Sequence, residues 1–394
     1  MNQFEPIKTI LIAMSSFKDV YTSEEAEKIV KGMLEGEYSV SMVPMCDGGE
    51  YTLDVLKRYF GPNAEIKEAE EICNPYGKTI RVPYLVTGDT AYIVSSEVLH
   101  LSLEEDAYKN PLNLTDYGLG QVILDAVDNG YRTIHLCLGG TSTVGLGIGT
   151  AQALGTKLLD CFGKELPERI TPADYHRIHR IIWSPERFAE IDLTVINDGV
   201  TEGKDLCKVN PLKIGTSFSE IKEEILDQLD QALIHICKIT DLKPDDPFSG
   251  NGGGIYYGIQ SLFNANYVRG TDYFIRLFQL EEQMCKANLV ITGEGRFDNP
   301  ELGKIPVAVS ELAASCGKPV CYLCGKIAPE WNPSQEKIII NPELKNKYGI
   351  DLLAECSGDN EDHLDQCRNE KDYYRETTPF FIKKRLMEMG ILHE

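Results

Sequence analysis

Short apolar runs that stop at glycine-rich, acidic turns recur along this chain, as buried parallel strands do. Strands are predicted at Lys8–Ala13, Ser39–Pro44, Thr133–Leu138, Leu193–Asn197, Leu289–Thr292 and Val320–Cys324. Helical spacing follows several of them. After the first strand, Thr22 or Ser23 is placed to cap a helix. Glu24 and Glu25 fall in its first turn, and Ala26, Ile29, Val30 and Met33 line one face. Further helices are predicted from Thr52 to Phe60 and over Thr115–Asn129, Ser219–Thr240, Ile255–Phe263, Asp272–Lys286 and Thr378–Gly390. Residues 65–100 break the strand–helix alternation. Glu65–Ile72, Thr79–Val86 and Thr90–Ser95 are all extended, with turns at Asn74-Pro75-Tyr76-Gly77 and Thr87-Gly88-Asp89. The very acidic stretch Glu355–Asp372 reads as a loop.

Candidate chemistry collects where the strands end, which is where open α/β sheets hold ligands. The first strand runs into Met14-Ser15-Ser16-Phe17-Lys18, just before a helix N-terminus. Two hydroxyls and a cation there suit an anion. The second runs into Asp47-Gly48-Gly49-Glu50, a tight turn with two carboxylates. The third runs into Gly139-Gly140-Thr141-Ser142-Thr143-Val144-Gly145-Leu146-Gly147-Ile148-Gly149. Its five glycines and three hydroxyls make an amide-rich loop suited to phosphate. It lacks the Gly-Lys-Ser/Thr closure of a Walker A loop, and its glycine spacing does not fit a dinucleotide fingerprint. Leu193–Asn197 runs into Asp198-Gly199. Leu289–Thr292 is read as ending abruptly at Gly293-Glu294-Gly295-Arg296, followed by Asp298, Gly303 and Lys304. Each of these is, taken singly, also an ordinary turn with solvated charges.

Composition narrows the classes. With 394 residues, 42% hydrophobic and 25% charged, the chain is long enough for two globular domains. A net charge of −22 disfavours nucleic-acid partners. Anions then need a local basic or amide-rich pocket, or a divalent metal. No apolar run is long enough for a membrane span, and residues 1–12 lack the marks of a signal peptide. The 12 cysteines are scattered. Cys321-x-x-Cys324 is the one pair at redox or metal spacing, with no second pair or histidines to complete a zinc site, and it sits in an apolar strand. The cysteines are therefore expected to be reduced core residues, and the protein cytoplasmic.

Taken together and in order, the loops over residues 8–327 resemble the bacterial glycerate kinases of the glycerate kinase type 1 family. Ala13–Ser23 matches that family's APDSFKGSLSA loop, and Met45–Thr52 its MADGGEGT loop. Leu114–Val122 looks like its TTYGTGELI helix start, and Gly139–Thr150 like its GGSATNDGGAGM loop. Gly250–Gly258 resembles a glycine-rich helix start, and Leu289–Asp298 follows LVITGEGRID almost letter for letter. The chain departs from the pattern at Ser15, where aspartate is usual, at Asp19, where glycine is usual, and at Val144-Gly145, where Asn-Asp is usual.

The resemblance implies a fold and a reaction. The fold would be two α/β domains with parallel-rich sheets, one inserted into the other, with a ligand cleft between them. Residues 1–75 with 286–394 would form one domain and 76–285 the other. The reaction would be ATP-dependent phosphorylation of D-glycerate or a related small hydroxy acid, with Mg²⁺. Lys18, Asp47 and Asp198 would be catalytic, with Asp47 or Asp198 as the Mg²⁺ ligand. Ser15, Ser16, Gly48, Gly49, Glu50, Gly139, Gly140, Thr141, Ser142, Thr143, Gly293, Glu294, Arg296, Asp298 and Lys304 would bind substrate or nucleotide. The expected partner is a small molecule, not nucleic acid or membrane, and a homodimer is left open. The alternative is a paralogue that binds a small acid or nucleotide without turnover. An α/β enzyme of another class, sharing only the fold, is the third reading.

Overall fold

The computed structural model describes residues 8–17, 20–100, 110–199, 222–240, 242–243, 247–298, 300, 304–357 and 370–393. Among the described residues fourteen strands are present: β1 (Thr9–Ile12), β2 (Ser39–Met42), β3 (Glu65–Cys73), β4 (Thr79–Thr87), β5 (Thr90–Val94), β6 (Thr133–Leu138), β7 (Lys157–Leu159), β8 (Arg180–Ile182), β9 (Asp192–Asn197), β10 (Asn266–Arg269), β11 (Leu289–Phe297), β12 (Val320–Ile327), β13 (Ile338–Ile339) and β14 (Leu352–Glu355). The chain divides into two compact units, residues 1–47 with 271–394, and residues 48–270.

The first unit holds a six-stranded sheet in the order β13-β14-β12-β11-β1-β2. All its pairings are parallel except the edge pair β13–β14. Ile10, Ile12, Leu289, Ile291, Cys321 and Leu323 are buried with Ala26, Val30 and Leu34 of the helix Ser23–Leu34. Thr22 caps that helix in a capping box with Glu25, which fixes where the chain turns after the first loop.

The second unit holds another six-stranded sheet, ordered β10-β9-β6-β5-β4-β3. Its strands β5, β6, β9 and β10 are parallel, while β3 and β4 add an antiparallel edge. That edge is the extended stretch predicted between residues 65 and 100. The sequence-based domain limits of 75 and 285 differ from the observed division at 47/48 and 270/271. The physical reason at the first limit is that β3 pairs along its length with β4 of the second unit.

Three further expectations change. β11 does not end before the Gly-Glu-Gly-Arg segment. It continues through it, with Glu294 paired to Cys324, Arg296 to Lys326 and Phe297 to Ile327 of an equally extended β12. The glycines serve close strand packing there: a Cβ on Gly293 would stand 1.9 Å from the Leu323 carbonyl oxygen. The helix predicted over Asp272–Lys286 is two helices, Gly270–Leu277 and Leu280–Lys286, parted where Gln279 takes a left-handed conformation. Part of the stretch Glu355–Asp372 is structured, since Glu355 closes β14 and residues 370–372 open the helix Glu370–Glu388. Residues 358–369 of that stretch, and residues 219–221 at the start of the predicted long helix, lie outside the described residues.

Cys321 and Cys324 are fully buried in β12, and burial pushes both thiols up from their ordinary range, as expected of core cysteines. Among the described residues no helix is long and apolar enough to cross a membrane.

Candidate active site

In the first unit, β1 and β11 lie side by side, but the strands that follow them run in opposite directions across the sheet, to β2 on one side and to β12 and β14 on the other. Open α/β sheets bind ligands outside the carboxyl ends at such a reversal. The loop after β1 is fixed there on three sides. The Ser15 N–H donates to the Gly293 carbonyl at 2.9 Å, and the Met45 N–H donates to the Met14 carbonyl at 3.2 Å. The Met14 N–H donates to Oε1 of Glu27, a fully buried acid on the helix Ser23–Leu34, at 3.0 Å. Ser15 and Ser16 are left half-buried at the strand ends. Lys18 lies outside the described residues.

Glu294, on β11, is the acid at the centre of this end of the sheet. Its Oε1 accepts the Tyr322 hydroxyl at 2.5 Å, and Lys304 Nζ stands 3.8 Å from its Oε2. Lys304 is closer to Asp298 Oδ1, at 3.2 Å, and the indole N–H of Trp331 donates to the Asp298 carbonyl at 2.7 Å. Arg296 is mostly exposed, with Nε 3.9 Å from Asp298 Oδ2. Burial pushes Glu294 up to about 7, and the negative charges of Asp298 and Asp47 push the same way, against Lys304 and the Tyr322 hydrogen bond.

That shift has a sign that can be measured. Below the ordinary carboxylate range Glu294 is protonated whether the chain is folded or not, and it costs nothing. As pH rises towards 7 the unfolded chain ionises first, so stability falls, by on the order of 3 kcal/mol once ionisation is complete. Glu294→Gln lacks this penalty. The thermal midpoint of the variant, relative to wild type, should therefore rise between pH 5 and pH 8. A difference that stays constant over that range would remove the buried-acid assignment.

In the second unit, four loops meet at the carboxyl ends of β5, β6 and β9. A Cβ on Gly139 would stand 2.6 Å from Gly49 Cα and 2.8 Å from Asp198 Oδ2, so these three segments touch. A Cβ on Gly140 would stand 3.0 Å from Ser96 Cβ and 3.4 Å from Glu50 Cγ. The Ser95 hydroxyl ties the loop down, donating to the Gly139 carbonyl at 2.9 Å and accepting the Gly139 N–H at 3.1 Å. Ser142 holds the next turn through its N–H and hydroxyl, both donating to the Leu99 carbonyl. His100 Nε2 lies 3.1 Å from Glu50 Oε1. The hydroxyls of Ser96 and Thr143 are buried and have no hydrogen-bond partner among the described residues. A buried hydroxyl without a partner is costly, and a bound polar ligand would satisfy it.

The structure thus gathers Gly48, Gly49, Glu50, Gly139, Gly140, Thr141, Ser142, Thr143 and Asp198 in the second unit, and Ser15, Ser16, Asp47, Gly293, Glu294, Asp298 and Lys304 in the first. Sequence reasoning missed Ser95, Ser96 and Glu27. The two serines had a signal, because they follow directly on an apolar strand. Among the described residues no group of three or more His, Cys, Asp or Glu is arranged to hold an ion. Mg²⁺ asks for less, using one or two carboxylates with phosphate and water. Asp198 is the carboxylate set against the amide loop.

The first unit thus carries acids at the reversal of an open α/β sheet, and the second a glycine-rich loop with a carboxylate against it. The chain belongs to the glycerate kinase family, whose model, described as "Glycerate kinase family", matches residues 10–344. It is 28% identical over 337 residues to a protein named glycerate kinase from Halalkalibacterium halodurans, covering 82% of this chain and 86% of that one. It is 29% identical over 354 residues to a protein named glycerate 2-kinase from Escherichia coli, with the same coverage of 82% and 86%. A crystal structure of a putative glycerate kinase 2 from Salmonella typhimurium has the same fold, with a TM-score of 0.70 and 24% identity over 98% of this chain and 100% of that one. The family and the α/β class expected from the sequence are both borne out.

Proposed function

We propose that the protein transfers the γ-phosphoryl group of ATP to a hydroxyl of D-glycerate or a closely related small hydroxy acid. The observation that carries this reading is the loop cluster of the second unit. An amide-rich turn, two buried hydroxyls in want of a partner, and the Asp198 carboxylate against the turn are what a metal-bound phosphate needs. The names of the relatives, glycerate kinase and glycerate 2-kinase, supply the acceptor.

Phosphoryl transfer asks a protein mainly for positioning and charge neutralisation. The backbone N–H groups of Gly140, Thr141 and Thr143, with the Thr143 and Ser96 hydroxyls, hold phosphate oxygens. Asp198 would hold Mg²⁺, which would supply charge neutralisation at the phosphates. Asp47 accepts the hydrogen bond of the attacking hydroxyl and takes its proton. Lys18, placed by sequence alone, pairs with the carboxylate of the acid. Glu294 and Lys304 fix the local field at the end of β11.

The test is Mg²⁺-dependent ADP formation from ATP across a panel of small hydroxy acids led by D-glycerate. Turnover with one of them is expected. Thermal stabilisation by an acid or by ATP, with no ADP formed from any acid, would refute the kinase reading in favour of a binding paralogue. Ser15, which stands where the family pattern has aspartate, is the residue that favours that second reading.

A further inference from the structure

Asp198 lies one residue beyond the end of β9, where the strand pairing with β6 stops at Asn197. Its N–H still donates to the Leu138 carbonyl, at 3.3 Å. Packing does not fix the next residue, because a Cβ on Gly199 would meet nothing within 4 Å. A side chain distant in sequence holds it instead. Nδ2 of Asn251 donates to the Gly199 carbonyl at 2.7 Å.

Asn251 belongs to the second glycine-rich stretch, residues 250–258. It is 4% exposed. Its N–H donates to the Phe248 carbonyl at 3.0 Å, and its carbonyl accepts the Gly254 N–H at 3.1 Å. Gly252, Gly253 and Gly254 follow with φ of +61°, +66° and +85°, a left-handed run that favours glycine. That run brings the stretch against the amide-rich loop. The Gly253 carbonyl accepts the Leu146 N–H at 3.1 Å, and a Cβ on Gly253 would stand 1.8 Å from the Thr143 carbonyl oxygen. Further on, a Cβ on Gly258 would stand 2.1 Å from the Gly147 carbonyl oxygen. One short segment therefore grips the chain leaving β6 and the chain leaving β9 together.

We infer that Asn251 is a positioning residue, whose side-chain amide sets the Asp198-Gly199 turn at a fixed place beside the amide-rich loop, so that one frame holds a divalent metal and a phosphate. The inference rests on the reading of that loop as a phosphate site and of Asp198 as the carboxylate for Mg²⁺. Asn251 acts through the backbone, because the group it holds is the carbonyl of the residue after Asp198. Groups that orient a metal ligand in this way typically set about 10- to 100-fold in metal affinity.

ADP and paramagnetic Mn²⁺ are the probes, with wild type, Asn251→Leu, Asp198→Asn and the double variant. Mn²⁺ affinity at saturating ADP is read from water-proton relaxation, ADP affinity without metal from calorimetry, and folding from the thermal midpoint. Asn251→Leu keeps the bulk and removes the donor. It should weaken Mn²⁺ binding by at least about tenfold and leave metal-free ADP affinity within about threefold of wild type. Asp198→Asn should also weaken Mn²⁺ binding. The double variant should stay within about threefold of the weaker single variant, because both changes act through one carboxylate. Asn251→Ser keeps a shorter donor and should fall between Asn251→Leu and wild type in Mn²⁺ affinity, and it decides should Asn251→Leu fail to fold. Wild-type Mn²⁺ affinity in the Asn251 variants would overturn the inference, as would equal losses of Mn²⁺ and metal-free ADP affinity, or additive losses in the double variant. No ADP binding by wild type, or wild-type Mn²⁺ affinity in Asp198→Asn, would refute the underlying site reading, and the inference with it.

Discussion

Replacing Asp47 with asparagine is expected to lower kcat by about 10²- to 10⁴-fold, the range for a general base, while leaving the thermal midpoint close to that of wild type. Asp47 is half-buried at the turn that follows β2, and its charge is felt by Glu294. Asparagine keeps the size and one acceptor but cannot take a proton. Asp198→Asn is expected to differ in kind. Asp198 lies against the amide loop, so its loss should raise the Mg²⁺ concentration needed for half-maximal rate, and excess Mg²⁺ should recover part of the activity. Initial rates titrated with Mg²⁺ separate the two. Rescue of Asp47→Asn by Mg²⁺, with none for Asp198→Asn, would reverse the roles. Removing the Asp47 charge should also bring the Glu294 carboxyl down from about 7, because Asp47 is one of the groups that raises it.

These residues could be picked out beforehand because glycines and acids after apolar runs mark places where a backbone comes close to something. The strand Thr133–Leu138 was legible to the residue, since its apolar run is bounded by a charged turn and by glycines. The extended pairing of β11 with β12 was not legible. A glycine that starts a turn and a glycine that lets two strands close up look the same in sequence, and only the Leu323 carbonyl beside Gly293 tells them apart. The break at Gln279 was hidden for a different reason, because a left-handed glutamine carries no compositional sign. Asp116 and Glu27 were missed because the first reads as an ordinary residue before a helix and the second as one of several charges on an amphipathic helix. Their purpose appears only with their partners, Thr150 at a separation of 34 residues and Met14 at 13.

Gly139→Ala should disrupt the loop cluster of the second unit. The added methyl would stand 2.6 Å from Gly49 Cα, 2.8 Å from Asp198 Oδ2 and 2.9 Å from Gly49 N. A flexible side chain could swing away, but Gly49 meets the methyl with backbone, in a turn whose neighbour Gly48 packs beside Ile196 and Cys137. Ser95 pins Gly139 itself from the other side through both its N–H and its carbonyl. Neither segment can yield without disturbing Asp47 and Glu50 or the loop 139–143. Overpacking of this kind costs roughly 1–3 kcal/mol. A displacement of about 1 Å in groups that position reactants costs about 10²-fold in rate. The expected result is a thermal midpoint lowered by several degrees and a loss of kcat/KM for ATP of at least about 10²-fold. Gly130→Ala serves as the comparison, since a Cβ there meets nothing within 4 Å; its φ of +97° puts it under backbone strain, so it should lose stability but keep its activity. A Gly139→Ala protein with unchanged kcat/KM would mean that the junction of Gly49, Gly139 and Asp198 is packing alone, and the phosphate site would have to lie elsewhere.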